Sequence, residues 1–229
     1  MRLAEIWRYP VKSMAGERLD GVSVDAKGLA GDRALAAYTA DGHVGSNKIT
    51  RRFRPVPGLR SHAARMEDGR TTIRAPGGES RAADDAEVDA WLSASLGQSV
   101  TLRPETDVPH QDAAPVHILS TASLRWAEAR IVRALDAFAF RPNLLVEGNE
   151  PWPAEENWVG RTIAVGEAVR LRVVEPTVRC VMVNARADGA DDPRVLRTLA
   201  YENDGCLGVY AEVLAGGVIT FGDKIAFTD

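Results

Sequence analysis

Over the first 75 positions apolar and polar residues alternate with a period of about two, in stretches too short for helices. Residues 3–7, 22–24, 34–38, 61–66 and 71–75 each carry this pattern. Each is bounded by turn formers, among them Pro10, Gly28 and Gly31, Asp41-Gly42, Pro57-Gly58, Asp68-Gly69 and Pro76-Gly77-Gly78. The pattern predicts a run of short strands, with a tight hairpin at Asp41-Gly42. Residues 47–55, the most basic stretch, lead into Pro57-Gly58 and read as a loop. The period then changes: Val88, Trp91, Leu92 and Leu96 fall on one helical face, with Asp84-Asp85 as the cap and Gly97 as the stop.

A strand at 99–103 precedes residues 104–112, which are polar, proline-rich and without period. They predict a linker, and hence domains at 1–104 and 112–229. The second half opens with a strand from Pro115 that runs into a hydroxyl-rich helix start, and Leu124, Ala127, Ile131 and Leu135 form that helix's apolar stripe. Strands follow at 144–146, 163–166, 169–174 and, through the apolar run Thr177-Val178-Arg179-Cys180-Val181-Met182-Val183, at 177–183. Asp192-Pro193 starts a short helix with Val195, Leu196 and Leu199 inward, and glycine-punctuated strands at 208–213, 216–219 and 222–227 suggest barrel-like closure. The expected fold class is α+β and strand-rich, with two β-barrel-like domains and flanking helices.

Composition narrows the function. A net charge of −4 argues against a general nucleic-acid binder, including one built on Arg51, Arg52 and Arg54. The longest apolar runs fall well short of the roughly 20 residues of a membrane span. The amino terminus enters a strand pattern directly, so a cytoplasmic location is expected, with Cys180 and Cys206 unpaired. Nucleotide-binding glycine loops, hydrolase elbows and zinc-type histidine or cysteine spacings are missing, and His117 reads as a packed strand residue.

What remains is a set of cations and hydroxyls at strand ends, and one thiol. Cys180 directly follows Arg179, and a guanidinium favours the thiolate, the nucleophilic and metal-binding form. From these residues alone, a buried thiol acting as a small hydrophobe is the competing account. Lys12 and Ser13, on the loop after Pro10, suit an anion, although taken locally a solvated surface lysine is the favoured account. Ser120, Thr121 and Ser123 suit either a phosphate cradle or plain helix capping. A soft metal held by thiolate and carried on an anionic organic cofactor accommodates the whole set.

Six motifs in one order bring a family into view: Tyr9-Pro10-Val11-Lys12-Ser13, Gly28-Leu29-Ala30-Gly31-Asp32-Arg33, the stretch His117 through Leu124, Phe140-Arg141-Pro142-Asn143, Arg179-Cys180 and Gly208-Val209-Tyr210. Together they resemble the MOSC-domain family, in the branch with an N-terminal β-barrel domain that includes the amidoxime-reducing components. The resemblance implies a molybdenum–molybdopterin cofactor, with Cys180 as the catalytic residue and the metal's protein ligand. It implies that Lys12, Ser13, Arg33, Arg141, Asn143 and Arg179 hold the pterin and its phosphate, with Thr121, Ser123 and Tyr210 beside them. Pyridoxal phosphate is not expected. The implied reaction is reduction of a small N-hydroxylated substrate, an amidoxime or hydroxylamine, to the amidine or amine. A non-catalytic cofactor or sulfur carrier using Cys180 is the alternative.

Neither the membrane segment of the eukaryotic members nor the ferredoxin-like extension of some bacterial ones is found in this sequence. The expectation is therefore a protein without membrane or nucleic-acid partners that takes electrons from a separate ferredoxin- or flavodoxin-like donor. Lys48, Arg51, Arg52 and Arg54 are its candidate docking patch.

Overall fold

The computed structural model describes residues 1–148, 155–184 and 191–228. They form two compact units, each assembled from separate stretches of chain. One comprises Met1–Trp7, Arg18–Ala30 and Ala113–Asp229, the other Arg8–Glu17 and Gly31–Asp112.

The first unit is built on a sheet whose strands lie in the order Ile225–Phe227, Thr162–Val165, Val169–Val178, Cys206–Ala215, Val116–Ser120, Leu144–Glu147, Arg2–Arg8 and Glu17–Leu19. The sheet returns on itself. Arg2 bridges Lys224, and the Ile225 N–H donates to the Met1 carbonyl at 3.0 Å, so backbone groups that would be left bare at an open edge are paired. Val116–Ser120 and Leu144–Glu147 run parallel, which requires a crossover, and helix Thr121–Ile131 supplies part of it.

Val116–Ser120 is buried along its whole length because both its faces are covered. Val116 and Ile118 point into a barrel core with Leu3, Ile6, Leu144, Val146, Ile163 and Leu171. Leu119 points the other way, into a second cluster with Trp126, Ile131, Phe140, Val195 and Leu199 under the helices. A doubly covered strand is buried on both faces rather than alternately, and its two polar members, His117 and Ser120, are hydrogen-bonded where they are buried. Each such buried aliphatic side chain contributes roughly 1.5–3 kcal/mol. Among the described residues no helix is long and apolar enough to cross a membrane.

The second unit holds a four-stranded sheet, in the order Val100–Pro104, Leu35–Thr39, Val44–Ser46 and Phe53–Pro55, and a three-stranded sheet of Ala63–Glu67, Arg70–Arg74 and Ser80–Ala82. In Arg70–Arg74 buried and exposed residues alternate strictly, with Thr71 and Ile73 inward. Helix Val88–Leu96 closes the core of Val11, Met14, Ala37, Leu59, Ile73, Leu92 and Val100. It ends at Gly97, whose φ of 64° is the left-handed conformation that glycine adopts without steric cost.

Several local expectations need correcting. The basic loop ends in a strand, since Phe53–Pro55 pairs in parallel with Val44–Ser46; three residues are too few to show a period. Helix Val88–Leu96 starts after Glu87 and has no side-chain cap bond, rather than starting from Asp84-Asp85. Helix Thr121–Ile131 stops at Val132 in the left-handed conformation, so Leu135 lies beyond it. The expected strand through Cys180 ends at Val178; a 3-10 turn, Val181–Asn184, follows Arg179 and Cys180. The proline-rich stretch 104–112 is tied to the second unit. His110 is fully buried there, facing the Tyr38 hydroxyl at 3.0 Å and the Arg33 carbonyl at 2.8 Å.

Candidate functional site

In the second unit the loop Tyr9-Pro10-Val11-Lys12-Ser13 is laced to the segment after Gly31. The Tyr9 N–H donates to Asp32 Oδ1 at 2.8 Å, the Arg33 N–H to the Tyr9 carbonyl at 2.7 Å, and the Lys12 N–H to the Leu35 carbonyl at 2.8 Å. Sequence motifs twenty residues apart thus become neighbours. Ser13 and Arg33 sit in the left-handed region, with φ of 67° and 52°. Backbone strain of this kind persists where the surroundings over-determine it, and such places are often binding sites.

The charges converge on one carboxylate. Lys12, only 4% exposed, places Nζ 3.2 Å from Asp112 Oδ1, and Lys48 Nζ approaches the same oxygen at 3.1 Å. Lys12 also lies over the Phe53 ring at 4.6 Å. Arg33 pairs with Asp32 and stacks on Tyr9 at 5.0 Å. Burial lowers Lys12 to about 8, helped by Arg33 and Lys48 and opposed by Asp112. Burial pushes Asp112 upward, but Lys12, Lys48 and Arg33 outweigh it and hold the carboxyl far below the ordinary range. Ser13 Oγ donates to the Gly45 carbonyl at 3.3 Å.

In the first unit a second set is organised around His117. The Arg141 carbonyl, 3.1 Å away, can only accept, so Nδ1 carries the proton and Nε2 is left to accept from Arg179 Nη1 at 3.2 Å. Arg179 Nη2 donates to the Phe140 carbonyl at 2.5 Å. Arg141 has a φ of 55°, which turns its carbonyl into this arrangement. Asn143, almost fully buried, accepts from the His117 N–H at 3.1 Å and donates to the Trp7 carbonyl at 3.2 Å. Tyr210 pairs with His117 across the sheet, with their rings 5.6 Å apart. Gly208 makes room: at φ 86°, a Cβ there would lie 2.5 Å from His117 Nε2.

Cys180 follows Arg179 as a half-buried free thiol. The other free thiol, Cys206, is pushed upward by burial and by Glu156 and Asp204, which disfavours its thiolate. Among the described residues no group of three or more histidine, cysteine or acidic side chains converges as a metal site. A metal at Cys180 therefore needs ligands beyond those side chains.

The start of helix Thr121–Ile131 carries the protein's own acid. Ser123 Oγ donates to Glu155 Oε2 at 2.7 Å, Ser120 Oγ bonds the same oxygen, and Ser120 caps the Ser123 N–H at 3.0 Å. Glu155 is completely buried, which pushes its carboxyl up despite the two hydroxyls. Thr121 Oγ1 accepts from the Gly148 N–H at 3.5 Å. The basic loop is likewise engaged. Arg52 holds the Gln111 and Asp112 carbonyls at 2.9 and 3.0 Å, and Arg54 holds those of Thr50 and Phe53, while Arg51 is exposed. Sequence reasoning missed Asp112, Glu155 and the bracing part played by His117. His117, at the head of one of the six motifs, and Asp112, an acid closing a polar run, had a visible signal, whereas Glu155 had none.

The first unit is a closed, strand-rich barrel with covering helices that carries a half-buried thiol next to a braced arginine, and the second is a strand-rich unit with a cluster of cations around Asp112. The chain belongs to the MOSC-domain family: the MOSC domain matches residues 105–226, and the MOSC N-terminal beta barrel domain matches residues 1–93. It is 26% identical over 232 residues to human mitochondrial amidoxime-reducing component 1, covering 81% of this chain and 66% of that protein. It is 25% identical over 285 residues to bovine mitochondrial amidoxime reducing component 2, covering 97% and 82%. The crystal structure of YUAD protein from Bacillus subtilis shares the fold, with a TM-score of 0.54 at 12% identity over 98% of this chain and 93% of that one. This chain thus spans about two thirds of the human relative's length.

Proposed function

We propose that this protein is a cytoplasmic molybdenum-cofactor oxidoreductase that reduces N-hydroxylated compounds, such as amidoximes and hydroxylamines, to amidines and amines. The observation that carries the reading is the gathering of Lys12, Lys48 and Arg33 in one place with the single carboxylate of Asp112 shared between the two lysines, an excess of positive charge that suits an anionic ligand. Support comes from a family associated with the molybdenum cofactor and from relatives named for amidoxime reduction.

The donor set fits such a cofactor. Lys12, Ser13 and Arg33 offer fixed positive charge and a hydroxyl to phosphate and dithiolene anions. The side chains of Asn143 and Arg179 are held by the His117 network, so their geometry is set before any ligand arrives, while Arg141 joins that network through its carbonyl and would offer its guanidinium. Thr121, Ser123 and Tyr210 rank behind them, because both Ser123 and Thr121 already serve local bonds. Cys180 contributes the thiolate ligand. When bound, the cofactor supplies the two-electron redox chemistry. For an amidoxime the balance is substrate plus two electrons and two protons giving amidine and water. The electrons come from a separate ferredoxin- or flavodoxin-like protein.

The test is turnover of an aryl amidoxime by cofactor-loaded protein with an artificial low-potential donor, read as amidine formed. Turnover that disappears in Cys180→Ala is expected. A protein carrying molybdenum and pterin that forms no amidine, amine or other reduced product from N-hydroxylated substrates overturns the reaction.

A further inference from the structure

We propose that Asp112 is a resident anion, a carboxylate that neutralises Lys12 and Lys48 and gives way when a dianionic oxyanion of the phosphate class takes its place. Lys12 is fixed: its side chain is 5% exposed, its backbone N–H is bonded to Leu35, and Phe53 covers its ammonium. Asp112 is not fixed in the same way. Its side chain is 38% exposed, while Arg52 clamps the carbonyls of Gln111 and Asp112. Rotation of the carboxylate toward solvent therefore leaves the backbone, and the cations, where they are.

The charge count gives the ligand class. One oxygen of one monoanion serves two ammonium groups, at 3.2 and 3.1 Å, and Arg33 adds a third cation whose own partner is Asp32. With Lys12, Lys48 and Arg33 set against Asp112 and Asp32, the cluster carries more positive than negative charge. A phosphate dianion brings two charges and three or more acceptor atoms to the same place, so it outcompetes a single carboxylate. In the absence of Asp112 the two ammonium groups repel across a short gap; with it, they stay poised for exchange. The identity of the natural ligand, a pterin phosphate, rests on the function proposed above. The exchange itself does not.

The experiment is calorimetric titration of the full chain with sulfate, isosteric with a phosphate dianion, at pH 6, where Lys12 is protonated. Asp112→Asn is expected to bind sulfate at least about tenfold more tightly than the parent. Asp107→Asn, which removes the same charge from an exposed position on the same segment, stays within about twofold. Adding Lys12→Gln to Asp112→Asn abolishes the gain. Asp112→Asn binding no more tightly than Asp107→Asn overturns the proposal. Should Asp112→Asn fold poorly, carbon NMR of the parent decides. Sulfate must move the Lys12 titration upward from about 8 and release the Asp112 carboxyl toward an ordinary value; an unchanged Asp112 signal at saturation refutes exchange. A gain in sulfate affinity by a chain that takes up no pterin leaves the exchange standing and the cofactor reading fallen. Pterin uptake without that gain does the reverse.

Discussion

Replacing Gly208 by alanine tests whether the His117 network is a stiff support for Arg179 or a loose set of contacts. The backbone at Gly208 has φ 86°, in the left-handed region, where a Cβ costs roughly 1–2 kcal/mol. The added methyl would lie 2.5 Å from His117 Nε2 and 2.8 Å from the Ile118 carbonyl. The carbonyl belongs to the doubly covered strand Val116–Ser120 and cannot move cheaply, so the ring must yield. Its hydrogen bond from Arg179 is then lost, and bonds to charged groups are worth about 1.5–3 kcal/mol. The sum is about 2.5–5 kcal/mol, a large share of the roughly 5–15 kcal/mol that holds a typical domain together. Urea unfolding followed by tryptophan fluorescence reads the loss, and nitrogen NMR of His117 reads whether Nδ1 still carries the proton. A loss below about 1 kcal/mol, with the Nδ1–H form intact, refutes the bracing argument.

Other outcomes follow from the same geometry. Burial raises Glu155 above its ordinary 4.5, so the folded chain keeps a proton that the unfolded chain sheds; this stability is complete below about that pH and is lost as pH rises through the folded value. Glu155→Gln, which mimics the protonated acid, is expected to flatten thermal stability between pH 4 and 8, and parallel profiles for the two proteins refute it. Asp32→Asn leaves the half-buried Arg33 without its carboxylate and is expected to cost about 3–5 kcal/mol in urea unfolding. Leu92→Ala empties a fully buried site and is expected to cost about 2–5 kcal/mol in the same assay; a smaller loss means the helix packs loosely.

How much of this was visible in the chain depended on the range of the interaction. Arg70–Arg74 and helix Val88–Leu96 were legible because alternation and the Gly97 stop are local signals. The strand Phe53–Pro55 was not, since its partner and parallel register are tertiary facts. The run around Cys180 reads as a buried strand by composition, yet Val178 and Val181 are 71% and 51% exposed and the chain turns between them. Lys12, Arg33 and Arg141 were singled out from motifs. Asp112, one hundred residues from Lys12, and Glu155, a charged residue in a fully buried place, depend on packing that no short window records.

The central claim is that the Cys180 sulfur holds molybdenum on a pterin. Its most direct test is the molybdenum and pterin content of protein purified from cofactor-producing cells, measured beside a folded Cys180→Ala variant. About one molybdenum and one pterin per chain, with the metal lost from the variant, is the predicted result. Protein free of both after exposure to the cofactor, or a variant that keeps its full complement of metal, contradicts the account.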